Sequence, residues 1–144
     1  MIVIGTFFIQ SGDISPESIF AGIVVGSLSS LVLFIASFPD HDADKSKGRK
    51  TLVITVGKKR GAQLFWIFPL VSYLAIIIGV SANLFPMFSL ISFLSVPLMI
   101  KSGIGLQKNY NSIENLVPYM SSTLMFGRIT GMLFVVGFLI DSIT

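Results

Sequence analysis

The sequence is poor in the residues that build most soluble binding and catalytic sites. It has no cysteine, and His41 is its single histidine, which excludes disulfides, thiolate metal sites and metal sites made of several histidines. Charged residues make up only 12% of the chain, whereas soluble domains carry about 25%. The N-terminus also lacks the charged region and the small-residue cleavage site of a signal peptide. These absences exclude an ordinary soluble domain and a disulfide scaffold.

Long apolar runs take the place of those residues. Of the 144 residues, 53% are hydrophobic, and the mean hydropathy is +0.86. The runs predict an all-α fold, a polytopic membrane helix bundle forming one domain over residues 1–144. An N-terminal helix stub, Met1–Gln10, is too short to cross about 30 Å of hydrocarbon and has the character of a helix whose beginning is missing. About four transmembrane helices follow, at residues 18–38, 62–80, 84–100 and 116–140.

Local signals predict helix starts, kinks and packing faces. Ser15 is the expected N-cap of the first span, with Pro16 at its first helical position, and Pro69 predicts a kink in the second span. Small residues spaced by four indicate close helix packing, although glycine is also commonly tolerated in membrane helices. The alternative of a short strand or a helix end stays open for Leu52–Val56. The small residues are Gly22, Gly26, Ser30, Gly127 and Gly131.

The distribution of basic residues predicts the orientation in the membrane. Because successive spans alternate direction, the polar loops at residues 39–61 and 101–115 lie on one face, which holds nine of the ten Lys and Arg residues. The opposite face has none of them and carries Asp13, Glu17 and Asp141. Lys and Arg are retained on the cytoplasmic side, so we expect an integral protein of the inner or cell membrane with a cytoplasmic acidic loop. Basic residues confined to membrane loops do not indicate nucleic-acid binding.

The acidic–basic segment, residues 38–52, is the candidate functional site. It places three carboxylates within five residues, Asp40, Asp42 and Asp44, and then four basic residues within the next six. On a helix Asp40 and Asp44 share a face, whereas in an extended segment all three do. Carboxylates this close suit Mg²⁺, which commonly uses one or two of them together with substrate phosphates. The alternative is a solvated loop whose charges pair with one another.

The basic residues have two interpretations. The candidate partners of a diphosphate are Lys45, Lys47, Arg49 and Lys50. The run Lys58–Arg60 is more typical of membrane orientation and of contact with anionic lipid. Arg128 is expected about 15 Å into the last span if that helix starts near Val117. A charge at that depth predicts a side chain that faces a cavity, or one that reaches back to the lipid headgroups.

The whole chain resembles the C-terminal half of the UbiA-type intramembrane prenyltransferases. The resemblance rests on Phe38–Lys45 followed by Gly48–Val53 and Gly57, which are similar to the family's second Asp-rich motif and its basic continuation. Weaker similarity extends to Gly5–Gly12 and to Pro118, Thr123 and Gly131. Within the family, the segment is most similar to that of quinone-pathway members, the dihydroxynaphthoate polyprenyltransferases.

The resemblance implies a fold, an activity and a set of ligands. The family's fold is a nine-helix bundle around a cavity open to lipid, of which this chain would form half. The implied reaction is Mg²⁺-dependent transfer of a polyprenyl group from its diphosphate to an aromatic or lipid acceptor in quinone biosynthesis. Asp40 and Asp44 would hold Mg²⁺, with Asp42 as a further or alternative metal ligand. The diphosphate would be bound by basic residues, namely Lys45, Arg49, Lys50 and Arg128.

One departure from the family pattern is large. The family has a first Asp-rich motif on an earlier loop, and nothing in this chain matches it: Asp13 and Glu17 fall on the opposite face, and Glu114 is isolated. We therefore expect a fragment that lacks its N-terminal helices and is inactive alone. The alternative function is a non-enzymatic membrane subunit or a piece of a transporter, whose basic loop binds lipid.

Overall fold

The computed structural model describes residues 5, 7–9 and 12–143. These residues form α-helices and one 3-10 helix and contain no strand, which confirms the all-α prediction. Gly5 and Phe7–Ile9 are helical, and the rest of the predicted N-terminal stub lies outside the described residues. The helices are α1 (Pro16–Ala36), α2 (His41–Ser46), α3 (Leu52–Val56), α4 (Lys58–Leu64), α5 (Ile67–Ser81), the 3-10 helix (Met87–Ser95), α6 (Val96–Asn109) and α7 (Ile113–Asp141).

Four helical stretches are long and apolar enough to cross a membrane, as the sequence predicts, and the protein is an integral membrane protein. They are Pro16–Ala36, Lys58–Ser81, Met87–Asn109 and Ile113–Asp141. Packing contacts join α1 to α5 and α7, and join α7 to the 3-10 helix and α6. The end of the bundle that holds α2, α3 and residues 110–112 is called the polar end below.

The start of α1 follows the predicted capping pattern. The Ser15 hydroxyl accepts a hydrogen bond from the Ser18 backbone N–H at 3.2 Å, and the helix begins at Pro16. Since the first N–H groups of a helix have no partner within it, the hydroxyl satisfies one of them, and proline loses nothing at this position.

The second span breaks where proline chemistry requires. Residues 65–66 separate α4 from α5, four and three residues before Pro69. A proline has no N–H to donate to the carbonyl four residues earlier, here that of Phe65, and its ring clashes with that carbonyl. The helix is therefore interrupted where Pro69 leads us to expect it, one turn before the proline itself.

The third span corrects the predicted second polar loop. Lys101–Asn109 was expected in that loop, but it is helical and completes α6. Pro97 lies in the first turn of α6, where its missing N–H costs nothing. Beyond it, Gly103 and Gly105 leave room for the rings of Trp66 and Tyr119, because an added Cβ would overlap those rings. Residues 101–109 have the composition of a loop, but packing against other parts of the bundle stabilises them as a helix.

The 3-10 helix places three serines on one buried side. Ser89, Ser92 and Ser95 recur every third residue, and all three are buried; a 3-10 helix has three residues per turn, so these side chains are stacked. The Ser95 hydroxyl lies 2.6 Å from the Thr130 hydroxyl of α7 and 2.8 Å from the Tyr73 hydroxyl of α5. This buried network ties three spans together.

The closest helix packing occurs at glycines other than the predicted ones. A Cβ added at Gly26 or Gly131 would meet nothing within 4 Å, whereas one at Gly137 would lie 2.6 Å from the Ser89 backbone. The prediction of close packing is therefore wrong for Gly26 and Gly131 within the described part of the chain. These small residues instead line open grooves. A glycine gives close packing only where a neighbouring element moves into the space that the missing side chain leaves.

Candidate functional site

The first acids of the acidic–basic segment lie on a helix. The Asp44 backbone N–H donates to the Asp40 carbonyl at 2.7 Å, so Asp40 and Asp44 lie one turn apart on the same face of α2. Asp42 points about 200° around the axis from Asp40. Of the two conformations considered from the sequence, the structure selects the helical one, which separates Asp42 from the other two carboxylates. No group of three or more acidic or histidine side chains placed to hold a metal occurs among the described residues.

A glycine turn brings Arg49 onto Asp44. Gly48 has a φ of +73°, and the N–H groups of Gly48 and Arg49 donate to the carbonyls of Lys45 and Asp44 at 3.1 and 3.0 Å. This bonding pattern ends a helix through a residue in the left-handed conformation, which favours glycine. The chain reverses there, and the Arg49 guanidinium reaches the Asp44 carboxylate at 3.1 Å.

The surroundings of Asp40 and Asp44 differ. The Asp44 side chain is only 14% exposed and keeps the Arg49 ion pair, whereas Asp40 is exposed at the start of α2 and caps no backbone N–H with its side chain. Lys45 and Lys50 are exposed as well. The segment therefore presents one carboxylate paired with a cation, one exposed carboxylate, and exposed lysines around them.

Asp42 joins α2 to α4. Its carboxylate accepts a bond from Lys58 Nζ at 3.1 Å and lies 2.8 Å from Nδ1 of His41. The hydrogen bond with His41, followed by the bond and charge of Lys58, holds the pKa of Asp42 below its usual value. Sequence reasoning assigned Lys58 to lipid contact and missed this pair. Asp42 and Lys58 are 16 residues apart in the sequence. Their ion pair could be found only from the path of the backbone through α3, which brings them together.

Two features fix α3 beneath the segment. The Thr51 hydroxyl accepts from the Ile54 N–H at 3.3 Å and caps the helix, so the open alternative for Leu52–Val56 is settled as helix. Val53 is fully buried, and a Cβ at Gly61 of α4 would lie 3.3 Å from the Phe38 ring and 3.5 Å from Val53. The apolar underside of the segment is thus packed on the bundle while its charged side faces outward.

Arg128 lies in a groove between α1 and α7. The cavity there measures about 350 Å³, and Arg128 is exposed in it with no ion pair to any described residue. The structure therefore places Arg128 at a cavity, one of the two positions considered from the sequence. The other lining residues are small or apolar and include Val25, Leu28, Val32, Leu124, Gly127 and Gly131.

Helix register sets the depth of Arg128. It follows Ile113, where α7 begins, by about 22 Å of helix at 1.5 Å per residue, which is more than the estimate based on a start at Val117. A Cβ at Gly127, however, would lie 3.7 Å from Val32 of α1, and Val32 is only about 6 Å from the end of α1 at Ala36. The first turns of α7 therefore extend past the end of α1, and Arg128 lies near the polar end.

Comparison with known proteins decides the family. The model of the UbiA prenyltransferase family matches residues 1–123. The chain belongs to the UbiA prenyltransferase family. No solved structure matches it significantly.

Curated relatives of this UbiA-family chain carry one name, 1,4-dihydroxy-2-naphthoate octaprenyltransferase. The Bacillus subtilis protein is 29% identical over 141 residues, covering 98% of this chain and 45% of the relative. The proteins of Escherichia coli and Haemophilus influenzae are 24% and 27% identical, each covering 94% of this chain and 44% of the relative. The chain therefore spans a little under half the length of the curated relatives it matches.

The side chains of this UbiA-family segment fit a magnesium ion held jointly with a ligand. Asp40 and Asp44 offer hard oxygen ligands on one helix face, and Mg²⁺ commonly takes one or two carboxylates and completes its shell with water and phosphate oxygens. The described residues offer no all-protein cage. Any ion held here would also need an anionic ligand. The cations nearest in sequence that could contact such an anion are Lys45, Arg49 and Lys50.

Proposed function

We propose that this chain is the part of a UbiA-family prenyltransferase that binds the prenyl diphosphate at its second acidic motif. The reaction is transfer of a polyprenyl group to an aromatic acceptor in quinone biosynthesis, with 1,4-dihydroxy-2-naphthoate as the acceptor class. The observation that carries the proposal is the helical pair Asp40 and Asp44, one turn apart, followed by a glycine turn that returns Arg49 to Asp44.

Each polar group has a role that its position supports. Asp40 and Asp44 would hold Mg²⁺, which would supply positive charge to offset that of the leaving diphosphate. Arg49 binds diphosphate oxygens with its planar guanidinium, and Lys45 and Lys50 add charge from exposed, adaptable side chains. These groups stabilise the negative charge that grows on the leaving diphosphate.

Arg128 contributes from the membrane side. Its groove places a cation about one turn below the end of α1, where the diphosphate meets its prenyl chain. A charge there is costly unless an anion approaches it, and the groove provides apolar walls for the chain. Arg128 therefore binds the diphosphate from below while the acidic–basic segment binds it from above.

Asp42 has a structural role in the proposal and does not contact the ligands. Its ion pair with Lys58 holds α2 against α4 and orients the other two acids. We assign it no direct place in the metal site, in contrast to the set of three carboxylates expected from the sequence.

The proposal includes a partner for the chain and a location. The relatives are more than twice as long, and this chain lacks a counterpart of the family's first acidic motif. We propose that it is a fragment that works only together with the missing N-terminal helices, with the acidic–basic segment on the cytoplasmic face.

The test is prenyl transfer by a complemented protein. The chain is co-expressed with the part of a relative that it does not cover, and membranes receive prenyl diphosphate, 1,4-dihydroxy-2-naphthoate and Mg²⁺. Asp40→Asn and Asp44→Asn should each lower kcat/KM by about a hundredfold or more, as loss of a group that stabilises transition-state charge does. Asp42→Asn should have a much smaller effect, and chelation of Mg²⁺ should abolish turnover.

A matched control and a contrary result complete the test. Asp13→Asn makes the same substitution at the opposite end of α1 and should retain full activity. Unchanged turnover in both Asp40→Asn and Asp44→Asn would refute the proposed role of the segment. Activity of the chain alone would refute only its status as a fragment.

A further inference from the structure

A separate polar cavity lies at the polar end, on a different face of α4. It measures about 190 Å³ and is lined by Lys59, Ala62 and Gln63 of α4 and by Gln107 and Tyr110 at the end of α6. Successive residues of a helix point about 100° apart. Accordingly, Lys58 pairs with Asp42, while Lys59 turns away from the acidic–basic segment and into this cavity.

The lining of this cavity is suited to an anion. The Lys59 ammonium, the Gln63 and Gln107 carboxamides and the Tyr110 hydroxyl can all donate hydrogen bonds. No carboxylate lines the cavity, and Lys59 has no ion pair among the described residues. A group that carries negative charge and several acceptor oxygens, such as a phosphate ester, would satisfy these donors.

An apolar groove continues from the same two spans toward the bilayer centre. It measures about 200 Å³ and is lined by Trp66, Leu70, Tyr73, Leu74 and Ile77 of the second span and by Met99 of the third. Trp66 follows Gln63 by three residues, and Met99 precedes Gln107 by about two turns of α6, so the polar cavity lies on the polar-end side of the groove along the same two spans. Tryptophan and tyrosine are enriched at the level of lipid headgroups, which places the polar cavity where headgroup phosphates lie.

We propose that the polar cavity and the apolar groove together bind one anionic glycerophospholipid. The headgroup phosphate contacts Lys59 and Gln107, and an acyl chain lies along Trp66, Leu74 and Met99. The groove favours this ligand over free phosphate, because a lipid joins the phosphate that the cavity binds to an acyl chain that the groove binds. The site is independent of the proposed catalytic segment, since none of its lining residues belongs to that segment.

The test counts lipids bound to the 144-residue chain in an uncharged detergent by native mass spectrometry. Phosphatidylglycerol should bind one per chain, and phosphatidylcholine should bind much more weakly. Lys59→Ala should weaken phosphatidylglycerol binding about tenfold or more, the usual effect of losing a hydrogen bond to a charged group. Lys47→Ala removes the same charge from the exposed turn after α2 and should leave binding unchanged.

A second variant tests the apolar half. Leu74→Trp fills the groove from an exposed position and should weaken lipid binding while the Lys59 cavity stays intact. Equal binding of phosphatidylcholine, or normal binding to Lys59→Ala, would overturn the proposal. If glycerol phosphate binds as tightly as phosphatidylglycerol, or if Leu74→Trp binds normally, the cavity is a site for a soluble anion and the lipid assignment is wrong.

Discussion

The bundle and the acidic–basic segment above it are held together in different ways. At some glycines of the bundle, a neighbour occupies the space that the missing side chain leaves, as where Ser89 lies against Gly137. Gly48 in the segment and Gly57 in the turn after α3 have open space around them. Glycine is favoured there by the backbone conformation instead, with φ values of +73° and +86°. Steric contact fixes the bundle, whereas turns and exposed ion pairs fix the segment. The segment can therefore adjust to a ligand at little cost.

The largest effect on stability should come from a methyl group added in the bundle. In Gly137→Ala the new Cβ would lie 2.6 Å from the Ser89 backbone, which cannot rotate away, so we expect a loss of about 1–3 kcal/mol in the free energy of unfolding. Thermal unfolding in detergent, followed by the fluorescence of Trp66, measures it.

Gly131→Ala is the matched control in the same helix. Its Cβ meets nothing within 4 Å, and alanine favours a helix over glycine by about 1 kcal/mol, so this variant should unfold at the same temperature or higher. Equal destabilisation of both variants would show that α7 is not packed against the 3-10 helix as described.

An effect of similar or smaller size should come from the two turn glycines. Gly57 combines a φ of +86° with a ψ of 152°, a region essentially restricted to glycine, so Gly57→Ala should cost about 1–3 kcal/mol. Gly48 has the left-handed conformation that other residues reach for about 1 kcal/mol or slightly more.

Activity should separate these glycines further. Gly48→Ala should impair prenyl transfer more than it impairs stability, because it disturbs the turn that brings Arg49 to Asp44. The measurement is the ratio of lost activity to lost stability for the two variants. A larger ratio for Gly57→Ala would contradict the role assigned to the Gly48 turn.

The smallest effect should be the pH dependence of the contact between α2 and α4. The pKa of Asp42 is lowered in the folded chain, so its contribution to stability is present above the ordinary aspartate value of about 3.9 and is lost as the pH falls through the lowered value. Because the carboxylate is exposed, the effect should be local.

Because the chain has no cysteine, a single introduced cysteine can carry a spin label that reports on the contact between α2 and α4. A spin label on Lys47→Cys should report a more mobile α2 at acidic pH and, at neutral pH, in the additional variant Lys58→Ala. If Lys58→Ala leaves the label's mobility unchanged at neutral pH, the ion pair does not hold α2.

Local patterns in the sequence predicted much of the bundle. Apolar runs located the four spans, and Ser15 with Pro16 located the start of α1, because hydrophobicity and capping act within a few residues. The continuation of α6 to Asn109 could not be predicted in this way. Lys101 and Lys108 have the character of a loop, and the contacts that hold them helical involve Trp66 and Tyr119, which are distant in sequence.

The candidate site was predicted in composition but not in arrangement. The spacing of Asp40 and Asp44 allowed a shared helix face, yet the sequence left helix and extended backbone open. The ion pair of Asp42 with Lys58 depends on the turn at Gly57. The depth of Arg128 in the membrane was inferred from the position of Gly127 beside Val32 of α1. Each of these facts concerns register between elements, which no single segment encodes.

The most direct test of the account measures diphosphate binding and stability in the same samples. A non-reactive prenyl diphosphate analogue is titrated into the complemented protein with and without Mg²⁺, for the unmodified chain and for Asp44→Asn. We predict Mg²⁺-dependent binding that the substitution weakens at least about tenfold, with the same unfolding temperature in both proteins. Equal affinity in the two proteins, or affinity that does not depend on Mg²⁺, would contradict the role assigned to the acidic helix.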